Sequence, residues 1–167
     1  MEWDVSAIEG PQGDDWRVPA GELAQRMTQA ATALSEAGIE SMLVHDPVDL
    51  YWLTGGRQNG TLLVGSSESN VDSVYWVRAS LDRARWEAGG DAAPFELASH
   101  PSTKSLDDEL KQRGCTTTPA MQHGKMPHNQ ATFYHDIIGE SSDCTRLLYS
   151  LRESKSLWEI EQMRASG

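Results

Sequence analysis

Cysteine is nearly absent from this 167-residue chain, with Cys115 and Cys144 the only two. That excludes a disulfide-built scaffold, and two free thiols in a reducing cytosol is the reading favoured over a single disulfide. Long apolar runs are missing as well. None approaches the roughly 20 residues that span a bilayer. The opening Met1-Glu2-Trp3-Asp4 lacks the basic start of a secretion signal. Cations are scarce: 14 Lys and Arg stand against 25 Asp and Glu, for a formal net charge of -11. Phosphate and anionic-lipid surfaces need clustered Lys and Arg, so the balance argues against nucleic-acid and membrane partners and serves solubility instead. Reactive motifs are equally sparse. The sequence has no HExxH, no GxSxG, and neither GxGxxG nor Walker spacing. A zinc-peptidase helix, a nucleophile elbow and a phosphate loop are therefore unsupported. Five histidines (His45, His100, His123, His128 and His135) find no cysteine or carboxylate at ligand spacing. Nothing near Cys115 would lower its pKa.

What is present suits one globular domain with a real core. The organising stretch is residues 41–64, SMLVHDPVDLYWLTGGRQNGTLLV. Met42-Leu43-Val44 and Leu62-Leu63-Val64 are short apolar runs bounded by Pro and Gly, which predicts two buried strands. Between them come a turn signal at Asp46-Pro47-Val48-Asp49, an aromatic segment Tyr51-Trp52-Leu53, and a glycine-rich loop carrying Arg57. A loop held by rigid strands is where binding residues sit.

The chain in order reads as an α/β layer fold. Residues 1–20 form an irregular arm that docks through Trp3, Ile8 and Trp16. Residues 22–37 form an amphipathic helix with Leu23, Met27, Ala30 and Leu34 inward, ended by Gly38. A third strand follows at 73–78, then a helix at 81–88 with Ser80 as partial N-cap and Leu81, Ala84, Arg85 and Ala88 on its inner side. Residues 94–99 form a strand and 105–113 a helix. Pro119 demotes 116–122 to a strand end or sheet edge. Pro127 opens a further helix with Phe133, Ile137 and Tyr134 inward, and 143–146 is a short extended piece. Two helical pieces close the chain. The second has a capping box, Ser156 with Glu159, and an apolar side of Leu157, Ile160 and Met163 without a visible partner. Such an ending is expected at a domain boundary.

Two segments resemble a known family. Leu43-Val44-His45-Asp46-Pro47 through Tyr51-Trp52-Leu53-Thr54-Gly55 is similar to the "LLV…P.N..YLTG" signature of the N-terminal domain shared by creatinase, prolidase and aminopeptidase P. Residues 151–164, LRESKSLWEIEQMR, resemble that family's "LR..KS..EI..MR.A" linker. Residues 77–84 are similar to a weaker "SL.RA" pattern. The resemblance implies a three-layer α/β sandwich, a mixed sheet flanked by helices, of ribonuclease-H-like shape. It divides the chain into an arm (1–20), the creatinase/prolidase-like N-terminal domain (21–150) and the start of a linker helix (151–167).

For function, the resemblance implies a non-catalytic domain of a cytoplasmic Xaa-Pro dipeptidase or aminopeptidase. Its partners would be a C-terminal pita-bread catalytic domain, a second copy in a homodimer, and a peptide substrate. Two divalent ions, manganese or cobalt, would sit on that catalytic domain and none here. Creatinase-like amidinohydrolases or lyases reuse the architecture, and a stand-alone binding module is the remaining reading. No residue is assigned a catalytic role. The substrate-pocket candidates are Arg57, whose guanidinium suits a carboxylate, with Trp52, Asp49 and Gln58. The plainer readings are a solvated Arg57, a core Trp52 and a turn-capping Asp49. Gly56 departs from relatives, which usually carry an aromatic after Thr-Gly.

Overall fold

The computed structural model describes residues 16–167, so the arm's residues 1–15 lie outside the described part. Five strands form one sheet, in the order β4-β3-β2-β1-β5. They are β1 (Ser41–Val44), β2 (Gly60–Gly65), β3 (Val74–Val77), β4 (Glu96–Ser99) and β5 (Ala120–Met121). β2 runs antiparallel to both β1 and β3, while β1 pairs parallel with β5 and β3 with β4. β1, β3, β4 and β5 therefore all point the same way, and β2 alone is reversed. Pro119 stands just before β5, which lies at the sheet edge.

The helices are α1 (Ala20–Glu36), α2 (Pro47–Thr54), α3 (Leu81–Glu87), α4 (Leu106–Gln112), α5 (His128–Ile138), α6 (Thr145–Glu153) and α7 (Leu157–Ala165). Strand side chains alternate between faces, and the core divides accordingly. Met42, Val44, Leu62, Val64, Tyr75 and Val77 pack with Leu34 of α1, Leu53 of α2, Ala84 of α3 and Leu148 of α6. Leu43, Leu63, Val74 and Trp76 pack with Leu106 and Leu110 of α4 and Tyr134 and Ile138 of α5. This is the three-layer arrangement the continuous apolar runs imply, since β1, β2 and β3 are covered on both sides. Both cysteines are free and buried, and burial pushes the Cys144 thiol up to about 12.

Several local expectations are corrected. The turn signal at 46–49 starts a helix. The Asp46 carboxylate accepts from the Val48 and Asp49 amides, with Pro47 in the first turn, so the aromatic segment is helical. In α3, Arg85 is exposed and Glu87 is buried. Ser80 precedes α3 at φ +60 and makes no capping bond with its side chain. In α5, Phe133 faces outward, while Tyr134 and Ile138 are the buried pair. The extended piece at 143–146 is a single bridge, Met121 to Asp143, before α6 begins at Thr145.

The capping box of α7 is present as expected, Ser156 with Glu159. Leu157 remains 82% and Met163 52% exposed. The helix is nevertheless seated, through the opposite side, by Trp158 and Glu159.

Candidate functional site

Because four strands share a direction, one edge of the sheet gathers their carboxyl ends. His45 follows β1 there, Arg78 follows β3, His100 follows β4 and Gln122 follows β5, while Asn59 leads into β2. In open α/β sheets ligands bind beyond such ends. The connection from β1 to β2 is α2 and loop 55–60, so that loop stands on this edge.

Gln122 fixes the junction. It is fully buried, and its Oε1 accepts from the amides of His45 and Asp46 at 2.9 and 3.0 Å. Its Nε2 donates to Asp49 Oδ2 at 2.6 Å. Asp49, 1% exposed, also accepts from Arg152 Nη1 at 2.7 Å. Asp49 thus spends its oxygens on Gln122, just after β5, and on Arg152 of α6. Trp52 points the same way: its indole N–H donates to Glu159 Oε1 at 3.0 Å.

The loop itself is pinned. Gly55 ends α2 at φ +74, a conformation that favours glycine, and its amide donates to the Tyr51 carbonyl at 2.9 Å. The Tyr75 hydroxyl donates to the Gln58 carbonyl at 2.7 Å. Burial pushes that phenol up to about 12, so it keeps its proton. The Gln58 Nε2 donates to the Glu87 carboxylate at 3.2 Å, which also accepts from Arg83 Nε at 2.8 Å. Gly56 lies against that same carboxylate: a Cβ there would stand 2.4 Å from Glu87 Oε2. The missing side chain at position 56 is explained by Glu87, which fills its place.

Beside the loop is a cavity of about 410 Å³, walled by Pro47, Val48, Leu50 and Tyr51 and edged by His45, Arg57 and Gln58. Arg57 is exposed, its guanidinium 5.8 Å from the Tyr51 ring centre. His45 stacks on Tyr134 with ring centres 5.6 Å apart, and neither ring nitrogen has a hydrogen-bond partner. Burial pushes its pKa down to about 4 against the pull of Asp46, so the ring is neutral near pH 7. The cavity offers an apolar wall with one guanidinium at its rim, an arrangement whose chemistry is complementary to an anionic or carboxylate-bearing group. Of the four candidates, the structure brings Arg57 and Gln58 to the cavity, and Asp49 and Trp52 are not in its lining.

The family model described as the Creatinase/Prolidase N-terminal domain matches residues 26–154. The chain belongs to this family. No curated protein matches the chain. Among solved structures, this creatinase/prolidase N-terminal domain is similar to the Xaa-Pro dipeptidase from Bacillus anthracis, at TM-score 0.70 and 16% identity, over 83% of this chain and 38% of that one. It is similar to the dipeptidase PepE from Mycobacterium ulcerans at TM-score 0.68 and 19% identity, over 87% and 40% of the two chains. A third likeness is to the N-terminal domain of the cytoplasmic peptidase PepQ from Mycobacterium tuberculosis H37Rv, at TM-score 0.58 and 19% identity, over 77% and 98%. The chain therefore spans about two fifths of the length of the first two and nearly all of the third. These likenesses are of fold.

The sequence reading missed Gln122, Glu87, Arg152 and Arg26, whose guanidinium donates to the Trp52 carbonyl at 2.7 Å; these residues hold α2 and the loop in place. Glu87 carried a signal: it falls three residues after the inward Ala84, so one helix face holds both.

Proposed function

We propose that this is the non-catalytic N-terminal domain of a metal-dependent Xaa-Pro dipeptidase or aminopeptidase-like hydrolase, and that loop 55–60 helps close the substrate cleft of a homodimer. The carrying observation is Arg57, an exposed cation on a pinned loop beside an apolar cavity at the carboxyl edge of the sheet. Such a group fits the carboxylate of a peptide substrate. Among the described residues no group of three or more His, Cys, Asp or Glu could hold a metal ion. We assign the divalent ions, manganese or cobalt, to a pita-bread catalytic domain joined through α7. The reading puts the protein in the cytoplasm. No helix among the described residues is long and apolar enough to cross a membrane.

A second reading draws on Gly56. With Glu87 at its side, the wall there is polar where an aromatic is usual, which suits a family member of different specificity, a creatinase-like amidinohydrolase or a lyase.

The test has two arms. The 167-residue protein is assayed with a Xaa-Pro dipeptide and Mn²⁺, with no turnover expected; hydrolysis above the blank overturns the non-catalytic reading. In the intact protein carrying this domain, Arg57→Ala is expected to raise KM for substrates with a free carboxylate while kcat stays within about twofold. An unchanged KM removes Arg57 from the cleft.

A further inference from the structure

Trp52 and Asp49 lie three residues apart on the inward side of α2, and both are gripped by the C-terminal segment. Arg152 of α6 holds Asp49 at 2.7 Å. Glu159 of α7 holds the Trp52 indole N–H at 3.0 Å. Arg26 of α1 completes the arrangement and is 3% exposed. Its guanidinium donates to the Trp52 carbonyl at 2.7 Å and to Glu22 at 3.0 Å, and lies 3.3 Å from Glu159 Oε1. It also stands 5.2 Å from the Trp52 ring centre and 5.5 Å from that of Trp158. The second Glu159 oxygen accepts from the Ser156 amide at 2.9 Å, as part of the capping box. One carboxylate therefore ties the first turn of α7 to both α1 and α2.

The other end of α2 is the loop. The Gly55 amide is bonded to Tyr51, the residue before Trp52, and the Gly56 amide reaches the Thr54 hydroxyl at 3.4 Å. α2 is only two turns long, and its C-terminal hydrogen bonds at Gly55 and Gly56 connect Trp52 to the loop.

We infer that Arg26 and Glu159 are positioning residues for the loop that carries Arg57: through Trp52, the seat of α7 and the seat of the loop are set together. Whatever packs on the exposed Leu157 and Met163 side of α7 is then felt at the cavity. The use made of Arg57 rests on the function proposed above; the coupling is a property of this chain.

Amide hydrogen exchange followed by NMR on the 167-residue protein tests it. Trp52→Phe keeps an aromatic ring beneath Arg26 while removing the N–H and part of the buried ring system. Glu159→Gln leaves one acceptor oxygen where two are in use. In both variants the Ile160 amide, bonded to Ser156, is expected to exchange about tenfold faster, the size of one lost hydrogen bond to a charged group. The Gly55 amide and the Arg78 amide, bonded to Asn59 of the loop at 2.9 Å, are expected to exchange about threefold faster, while β1 and β2 keep their rates. Faster exchange in α7 with Gly55 and Arg78 unchanged overturns the inference. If Trp52→Phe loosens the whole sheet, Glu159→Gln decides by the same amides. Glu153→Gln, at an exposed position on α6, is expected to change none of them. Failure here leaves the proposed function standing, since a loop can line a cleft without answering to α7. Peptidase activity of this chain would sink that function without touching the coupling.

Discussion

Arg26 and Arg57 flank α2, and each has an aromatic residue of that helix beside it, yet their surroundings are opposite. Arg26 is buried between two tryptophans and shared among a carbonyl and two carboxylates. Arg57 is exposed, and the contact it makes is with the Tyr51 ring. The same side chain is structural where the protein meets its donors and available where it does not. Burial with complete partners marks a group the fold depends on, and a free rim position on a rigid support marks one that can serve a ligand.

That contrast can be broken most directly by substitution. Arg26→Met leaves Glu22, Glu159 and the Trp52 carbonyl short of a donor and is expected to cost about 4 kcal/mol, against less than about 0.5 kcal/mol for Arg57→Met. Urea unfolding of both variants measures the difference, and equal losses would erase the distinction.

Next in size is His45, the neutral buried ring at the cavity. Its folded pKa, about 4, lies below the ordinary 6.5. Between those values the unfolded chain binds the extra proton, so its contribution is complete above pH 6.5 and is lost as pH falls toward 4. The loss is about 3 kcal/mol. Stability curves from pH 7 to 4 should flatten in His45→Gln; an unchanged slope would assign the effect to other groups.

Gly56→Ala sharpens the account of the loop. Its methyl meets the Glu87 carboxylate, and overpacking of this kind costs about 2 kcal/mol. Adding Glu87→Ala should recover part of that, read as a positive coupling in a double-mutant cycle. Smallest is Ser156→Ala, which removes the cap accepting from the Glu159 amide and costs about 1 kcal/mol. Its effect should show as lost helical protection in α7 with the sheet unchanged.

The layered fold was legible because its cause is local. The runs at 42–44 and 62–64 are apolar on both faces, and only a sheet covered on both sides accepts them. Gly38 and Gly114 stop helices where positive φ is needed, at +68 and +94. Misreadings came where one pattern serves two structures. Asp-Pro-Val-Asp suits a turn or a helix start equally, and the choice fell to helix because Leu50, Trp52 and Leu53 pack it into the core. In α5, Phe133 and Tyr134 are neighbours in sequence, and tertiary packing in the core, with His45 stacked on Tyr134, decides which turns inward. The loop at 55–60 could be found by its glycines and its cation. Its supports could not, since Gln122, Arg152 and Glu159 come from parts of the chain far from residue 49 or 52, and no periodicity records such pairings.

The Arg26–Glu159 pair joins residues near opposite ends of the sequence. As the polypeptide emerges from the ribosome, α1 is made early, but one of its arginine's two carboxylates appears only after every strand of the sheet has been made. Until α7 is synthesised, α2 lacks an anchor and the tryptophan indole lacks its acceptor. A truncation at residue 154, where the family match ends, would keep the sheet's residues and lose this latch. Nascent or shortened forms should therefore hold a formed sheet with α2 less firmly seated, and expression boundaries drawn from the family match alone would discard the helix that seats it.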